Sequence, residues 1–114
     1  MPLIARGDTT ATVLTNHGTG TACADPTNQT SDVCSGDVFA VGVGVVTIGD
    51  AMTSHISPDA VPPCTPHAPL LDTSSDNVFA NGKLVGRLTD TYDGQTILSH
   101  TITDVAQSTV YANG

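Results

Sequence analysis

Three short segments of this 114-residue chain are versions of one another, and any fold proposed for it must account for that recurrence. They are Val38-Phe39-Ala40-Val41-Gly42, Val78-Phe79-Ala80-Asn81-Gly82 and Val110-Tyr111-Ala112-Asn113-Gly114. The first two continue in step without a gap, Val38 to Asp50 against Val78 to Asp90. A Val-Gly or Asn-Gly centre inside such a segment predicts a β-hairpin, because tight hairpin turns need positive φ, which glycine adopts freely and Asn tolerates. The third copy stops at Gly114, and Pro2-Leu3-Ile4-Ala5-Arg6-Gly7-Asp8 has the look of its missing second strand. The spacing therefore predicts that the first and last strands pair. Three hairpin units would then close around an axis with pseudo-threefold symmetry.

Composition agrees with an all-β domain spanning residues 1–114. The 18 Thr and 12 Val against no Glu and one Lys favour pleated surfaces and turns over helix faces. Aromatics are 4% with no Trp, so large aromatic anchors cannot hold so small a core together and another stabilising device is expected. Phe39, Phe79 and Tyr111 belong to the repeat and are assigned to packing, which argues against an adhesive or receptor-binding head. A net charge of −8 repels phosphate backbones and anionic lipid, so nucleic-acid and membrane binding are not expected. No apolar run approaches a membrane span or a signal-peptide core. The Asp residues that end the repeats, Asp50 and Asp90, read as turn caps. No nucleophile-elbow or phosphate-cradling glycine pattern is present.

Three connectors rich in Thr, Ser, Asp, Pro and Gly separate the hairpins and read as loops and short strands. They hold every histidine: His17 in the first, His55 and His67 in the second, His100 in the third. His67 lies 11 residues before Val78 and His100 lies 10 before Val110, nearly the same place in their units. Repetition around an axis would bring His17, His67 and His100 toward one point as a metal site. Cys64, in Cys64-Thr65-Pro66-His67, and His55 are the candidates for a further donor. Imidazole with thiolate favours tetrahedral Zn²⁺, and an all-histidine set would admit Fe²⁺. One bound transition-metal ion, zinc before iron, would supply the missing stabilisation. Cys23, Cys34 and Cys64 cannot all pair within one chain; a Cys23–Cys34 bridge and an inert or metal-bound Cys64 are the open alternatives.

The run Val-Phe-Ala-Asn-Gly-Lys-x-Val-x-Arg-x-x-Asp at Val78 to Asp90, the opening Pro-x-x-Ala-Arg-Gly-Asp, the Cys-x-x-His and the closing His-Thr-Ile with Ser-Thr-Val-Tyr-Ala-Asn-Gly resemble the PAAR-repeat family over nearly the whole chain. The resemblance implies a small β-cone that caps the trimeric β-helical spike of contractile phage tails and type VI secretion systems. One copy per trimer would sit at the tip, touching the target cell envelope transiently. It implies that His17, His67 and His100 with Cys64 hold a metal ion at the apex, and that the protein is not an enzyme. The expectation that follows is a phage-type tip or an unfused secretion-system tip, a monomer when isolated, without small-molecule substrate and with no effector extension after Asn113-Gly114. The rival expectation is a small metal-binding module or metalloenzyme using the same His/Cys cluster.

Overall fold

The computed structural model describes residues 2–15, 28–56, 66–92 and 100–113. Their regular structure is entirely β, and no helix among them is long and apolar enough to cross a membrane. Ten short strands follow one another: β1 (Thr12–Thr15), β2 (Asn28–Thr30), β3 (Phe39–Ala40), β4 (Val43–Gly44), β5 (His55–Ile56), β6 (Pro66–His67), β7 (Phe79–Ala80), β8 (Lys83–Leu84), β9 (Thr91–Tyr92) and β10 (His100–Asp104).

The repeats form as their turn residues dictate. β3 pairs with β4 and β7 with β8 in one register, Phe39 opposite Gly44 and Phe79 opposite Leu84. Both central turn residues are left-handed, Val41 and Gly42 at φ 48° and 79°, Asn81 and Gly82 at 53° and 78°, as a type I′ turn requires. The third copy is completed by the other end of the chain: Leu3 bridges Tyr111, Ile4 N donates to Val110 O at 2.9 Å, and Ala112 N donates to Pro2 O at 3.0 Å. Val41 is the discordant residue, because a β-branched side chain in the left-handed region costs about 1–2 kcal/mol. It is exposed, so replacing it sacrifices no core packing. Val41→Asn, which copies Asn81, is expected to raise the melting temperature by about 4 °C. A thermal melt showing no gain would contradict the strain.

The hairpins are joined by backbone hydrogen bonds that close on themselves. Ala5 N donates to Gly86 O (2.9 Å), Gly86 N to Val46 O (2.8 Å) and Val46 N to Ala5 O (3.1 Å). Two residues further along each strand the pattern repeats: Gly7 N to Gly44 O (2.9 Å), Ile48 N to Leu84 O (2.9 Å) and Leu88 N to Leu3 O (2.8 Å). Inside this cycle Ile4, Val45 and Val85 form one cluster with Ala40, Ala80 and Ala112, ringed by Val38, Val78 and Val110. Each Ile or Val buried there contributes about 1.5–3 kcal/mol relative to exposure.

The repeat aromatics do not pack inside as the sequence suggested. Phe39, Phe79 and Tyr111 are 59%, 60% and 48% exposed, whereas Tyr92 is fully buried. Strand alternation explains the correction: each aromatic precedes an alanine that faces inward, where three hairpins meet and only small side chains are accommodated, so the aromatic must face outward.

The connectors supply the second core, of Val13, Met52, Leu71, Tyr92 and Ile102 with their neighbours. Their sheets are small: one runs β2-β1-β10-β9, another is β5-β6. Single antiparallel bridges, Ser31 to Met52, Ala51 to Leu70 and Leu71 to Tyr92, link them into a continuous circuit of neighbours. Side-chain caps mark the limits of the units. Ser35 Oγ accepts from Val38 N (3.0 Å), Ser75 Oγ from Val78 N (3.1 Å) and Gln107 Oε1 from Val110 N (2.9 Å). Asp50 Oδ2 accepts from Thr47 N (2.9 Å) and Asp90 Oδ2 from Arg87 N (2.8 Å), so both carboxylates are turn caps.

Candidate metal centre

Two strands of the second connector and one of the third converge three histidines. β5 and β6 pair so that His55 lies directly opposite His67, and β10 begins with His100, opposite both Thr15 and Tyr92. Directly opposed residues of an antiparallel pair have Cβ atoms about 4.5–5.5 Å apart, close enough for two imidazoles to share a ligand. His55 Nε2 is 2.9 Å from His67 Nε2 and 3.1 Å from His100 Nε2. The ring centroids are 4.3, 5.1 and 5.2 Å apart, and one nitrogen from each ring lies within 4.8 Å of the other two. His55 and His100 are buried and His67 is half-buried.

Proton placement at His55 follows from its neighbour. Nδ1 is 2.9 Å from the Thr53 carbonyl oxygen, which can only accept, so Nδ1 carries the hydrogen and Nε2 presents its lone pair to the cluster. A carbonyl that anchors the far nitrogen in this way is the usual support of a metal-binding histidine. Tetrahedral zinc with bonds of about 2.0–2.1 Å spaces its donors about 3.3 Å apart, near the separations found here. The three imidazoles lie close enough together to bind one metal ion. Imidazole serves zinc, iron, copper and nickel alike, so the donors define the class of ion.

Among the described residues the cluster takes His55 and His67 from the second connector and His100 from the third. His55, an additional candidate in the sequence, is a full member of the cluster, its Nε2 within 3.1 Å of both other Nε2 atoms. His17, Cys64 and Cys23 lie outside the described residues. Cys34 is a free thiol, half-buried; burial foremost, then Asp8 and Asp50, raises its pKa and favours the protonated form. Tyr92 pairs with His100 in β9–β10, and burial, reinforced by Asp50 and Asp32, raises its pKa and keeps the phenol neutral. Thr53 was not singled out in the sequence; its position two residues before a candidate ligand is the signal that could have found it.

These features define a small all-β protein with a three-histidine cluster able to hold a metal ion. No family model matches the chain, and no curated protein matches it significantly.

Proposed function

We propose that the protein is a non-enzymatic, metal-stabilised tip that caps the trimeric spike of a contractile injection machine, a phage tail or a type VI secretion system, with one copy per trimer. The observation that carries this reading is the cyclic bonding of the three repeats together with the like exposure of Phe39, Phe79 and Tyr111 at one position of each. A single chain that offers the same apolar contact three times around a cycle suits a partner with true threefold symmetry, each chain of which meets one repeat. The elongated shape, 40 Å against 24 and 22 Å, is compatible with a body that projects from the end of a spike. The net charge of −8 keeps such a tip from adhering to anionic cell surfaces before it is driven through them. In this reading the metal is held by His55, His67 and His100 and locks the connectors; His17 and Cys64 are the further donors that the family resemblance proposes.

Two measurements test the proposal. Elemental analysis of the purified protein is expected to give one transition-metal ion per chain, and none would remove the metal from the argument. Mixed with a trimeric β-helical spike protein, the chain is expected to form a complex whose native mass contains one copy per trimer. Three copies, or no complex, would overturn the capping role. Three imidazoles are also the protein ligands of one kind of catalytic zinc site, which sustains a second reading as a metalloenzyme. Hydrolytic activity that is lost with the metal would favour it.

A further inference from the structure

The two arginines of the repeats are held in one way, and the remaining repeat has the same seat without an arginine. Arg6, Thr47 and Arg87 are equivalent, each following a member of the cycle Ala5, Val46 and Gly86. Arg6 Nη1 donates to the turn carbonyl of Val41 (3.1 Å) and Nη2 to Ala106 O (3.0 Å). Arg87 Nη1 reaches the turn carbonyl of Asn113 (3.5 Å), Nη2 donates to Ser74 O (3.0 Å) and Nε donates to Asp90 Oδ2 (3.2 Å). Val41 and Asn113 occupy the same turn position, and Ala106 and Ser74 each precede the cap residue of a repeat. The rule is therefore that a guanidinium ties the turn of the next repeat to the carbonyl before its own repeat's cap.

Applied to Thr47, the rule names Asn81 O, Cys34 O and the carboxylate of Asp50. Thr47 is too short to reach the first two, and its hydroxyl instead donates to Asp50 Oδ2 at 3.0 Å. A cavity of about 230 Å³ lies there, lined by Cys34, Thr47, Asp50, Asn81 and Lys83 among others. Neither the Cys34 nor the Asn81 carbonyl accepts a hydrogen bond among the described residues. The Asn81 amide donates to Ser35 Oγ (3.0 Å) and to Asp37, which fixes the two carbonyl-bearing segments across from each other. One water occupies about 30 Å³ of liquid, so the space has ample room for a planar cation.

We propose that this cavity is a receptor for a guanidinium group from outside the chain, on an arginine side chain of a partner or on a small guanidinium compound. Asn81 O, Cys34 O and Asp50 hold it as the equivalent groups hold Arg6 and Arg87. Planarity and a fork of N–H donors match acceptors at fixed separation, whereas an ammonium is a compact point charge that satisfies them poorly. Lys83, which also lines the cavity, is a like charge that limits affinity. The inference does not depend on the metal site or on the spike-tip reading.

The test is an amide-resolved NMR titration of the wild-type protein with methylguanidinium, and in parallel with methylammonium, at constant ionic strength. Saturable shifts are expected at Ser35, Asp50 and Gly82, with affinity for methylguanidinium at least about tenfold above that for methylammonium. Thr47→Arg is expected to fill the cavity with its own side chain, raise the melting temperature and abolish the response. Equal response to both cations, no response, or an undiminished response in a folded T47R variant would overturn the proposal. The comparison of cations on the wild-type protein needs no variant to fold. N-acetylarginine amide distinguishes the sources: binding by it assigns the site to arginine on a protein, and binding by methylguanidinium alone assigns it to a small compound.

Discussion

His55→Ala is expected to release the metal ion and lower the melting temperature by about 10 °C or more, corresponding to at least about 3 kcal/mol in a domain of this size. The magnitude follows from two costs that act together. His55 Nε2 lies 2.9 and 3.1 Å from the other two Nε2 atoms, so its removal takes one of three donors from the cluster. It is also buried and anchored to Thr53 O, so truncation opens a cavity and strands a carbonyl. Ser54→Ala, one residue away and exposed, is the control and should melt as the wild type. Melts with and without a strong chelator separate the contributions: chelation should bring the wild type down toward His55→Ala and leave the variant unmoved. A His55→Ala protein that keeps its metal would show that the three rings are packed together for another reason.

Gly44→Ala is expected to destabilise by more than about 4 kcal/mol, enough to prevent folding near physiological temperature. A Cβ at this position would lie 2.0 Å from Ser35 O and 2.9 Å from Cys34 Sγ. The first contact is with backbone that is itself pinned, because Ser35 N donates to Val45 O at 2.8 Å and Ser35 Oγ caps Val38. Relief would break the start of the first hairpin. The equivalent residue of the second repeat is Leu84, so the hairpin register itself does not demand glycine. Close approach of the Cys34–Ser35 segment does. Gly36→Ala is the comparison, since nothing lies within 4 Å of a Cβ there, and it should change stability by no more than about 0.5 kcal/mol. Equal urea midpoints for the two variants would contradict the clash.

The hairpins were legible in the sequence because positive φ at 41–42 and 81–82 restricts which residues can stand there, and the chain obeys at Gly42, Asn81 and Gly82. The pairing of Leu3 with Tyr111 was legible for a related reason: an unfinished third copy and an unassigned opening strand fit only each other. The outward turn of Phe39 and Phe79 was not, because two-residue strands give no alternation long enough to mark an inner face. It depended on how closely the Ala40, Ala80 and Ala112 positions approach one another. The histidines were recognised as a group, but which would meet depended on the β5–β6 register, set by backbone pairing and not by repeat spacing. The arginine seats were hidden for the opposite reason: Thr47 breaks the Arg pattern, so only the shared carbonyl partners reveal that the three positions are one device.

The cycle of Ala5, Val46 and Gly86 also dictates when this protein can fold. Its members come from far-separated parts of the chain, and the strand that carries Ala5 is flanked by Val110, Tyr111 and Ala112. The segment from Pro2 to Gly7 meets Gly44 to Val46 and Leu84 to Leu88 through the cycle, but its own hairpin partner, Val110 to Ala112, is the last of its neighbours to be made. Local hairpins at 39–44 and 79–84 can form in the meantime, but closure waits for the whole. Closure of the cycle's edge therefore waits for Val110 to Ala112, and a polypeptide cut short before Val110 would be left with an open, unpaired edge.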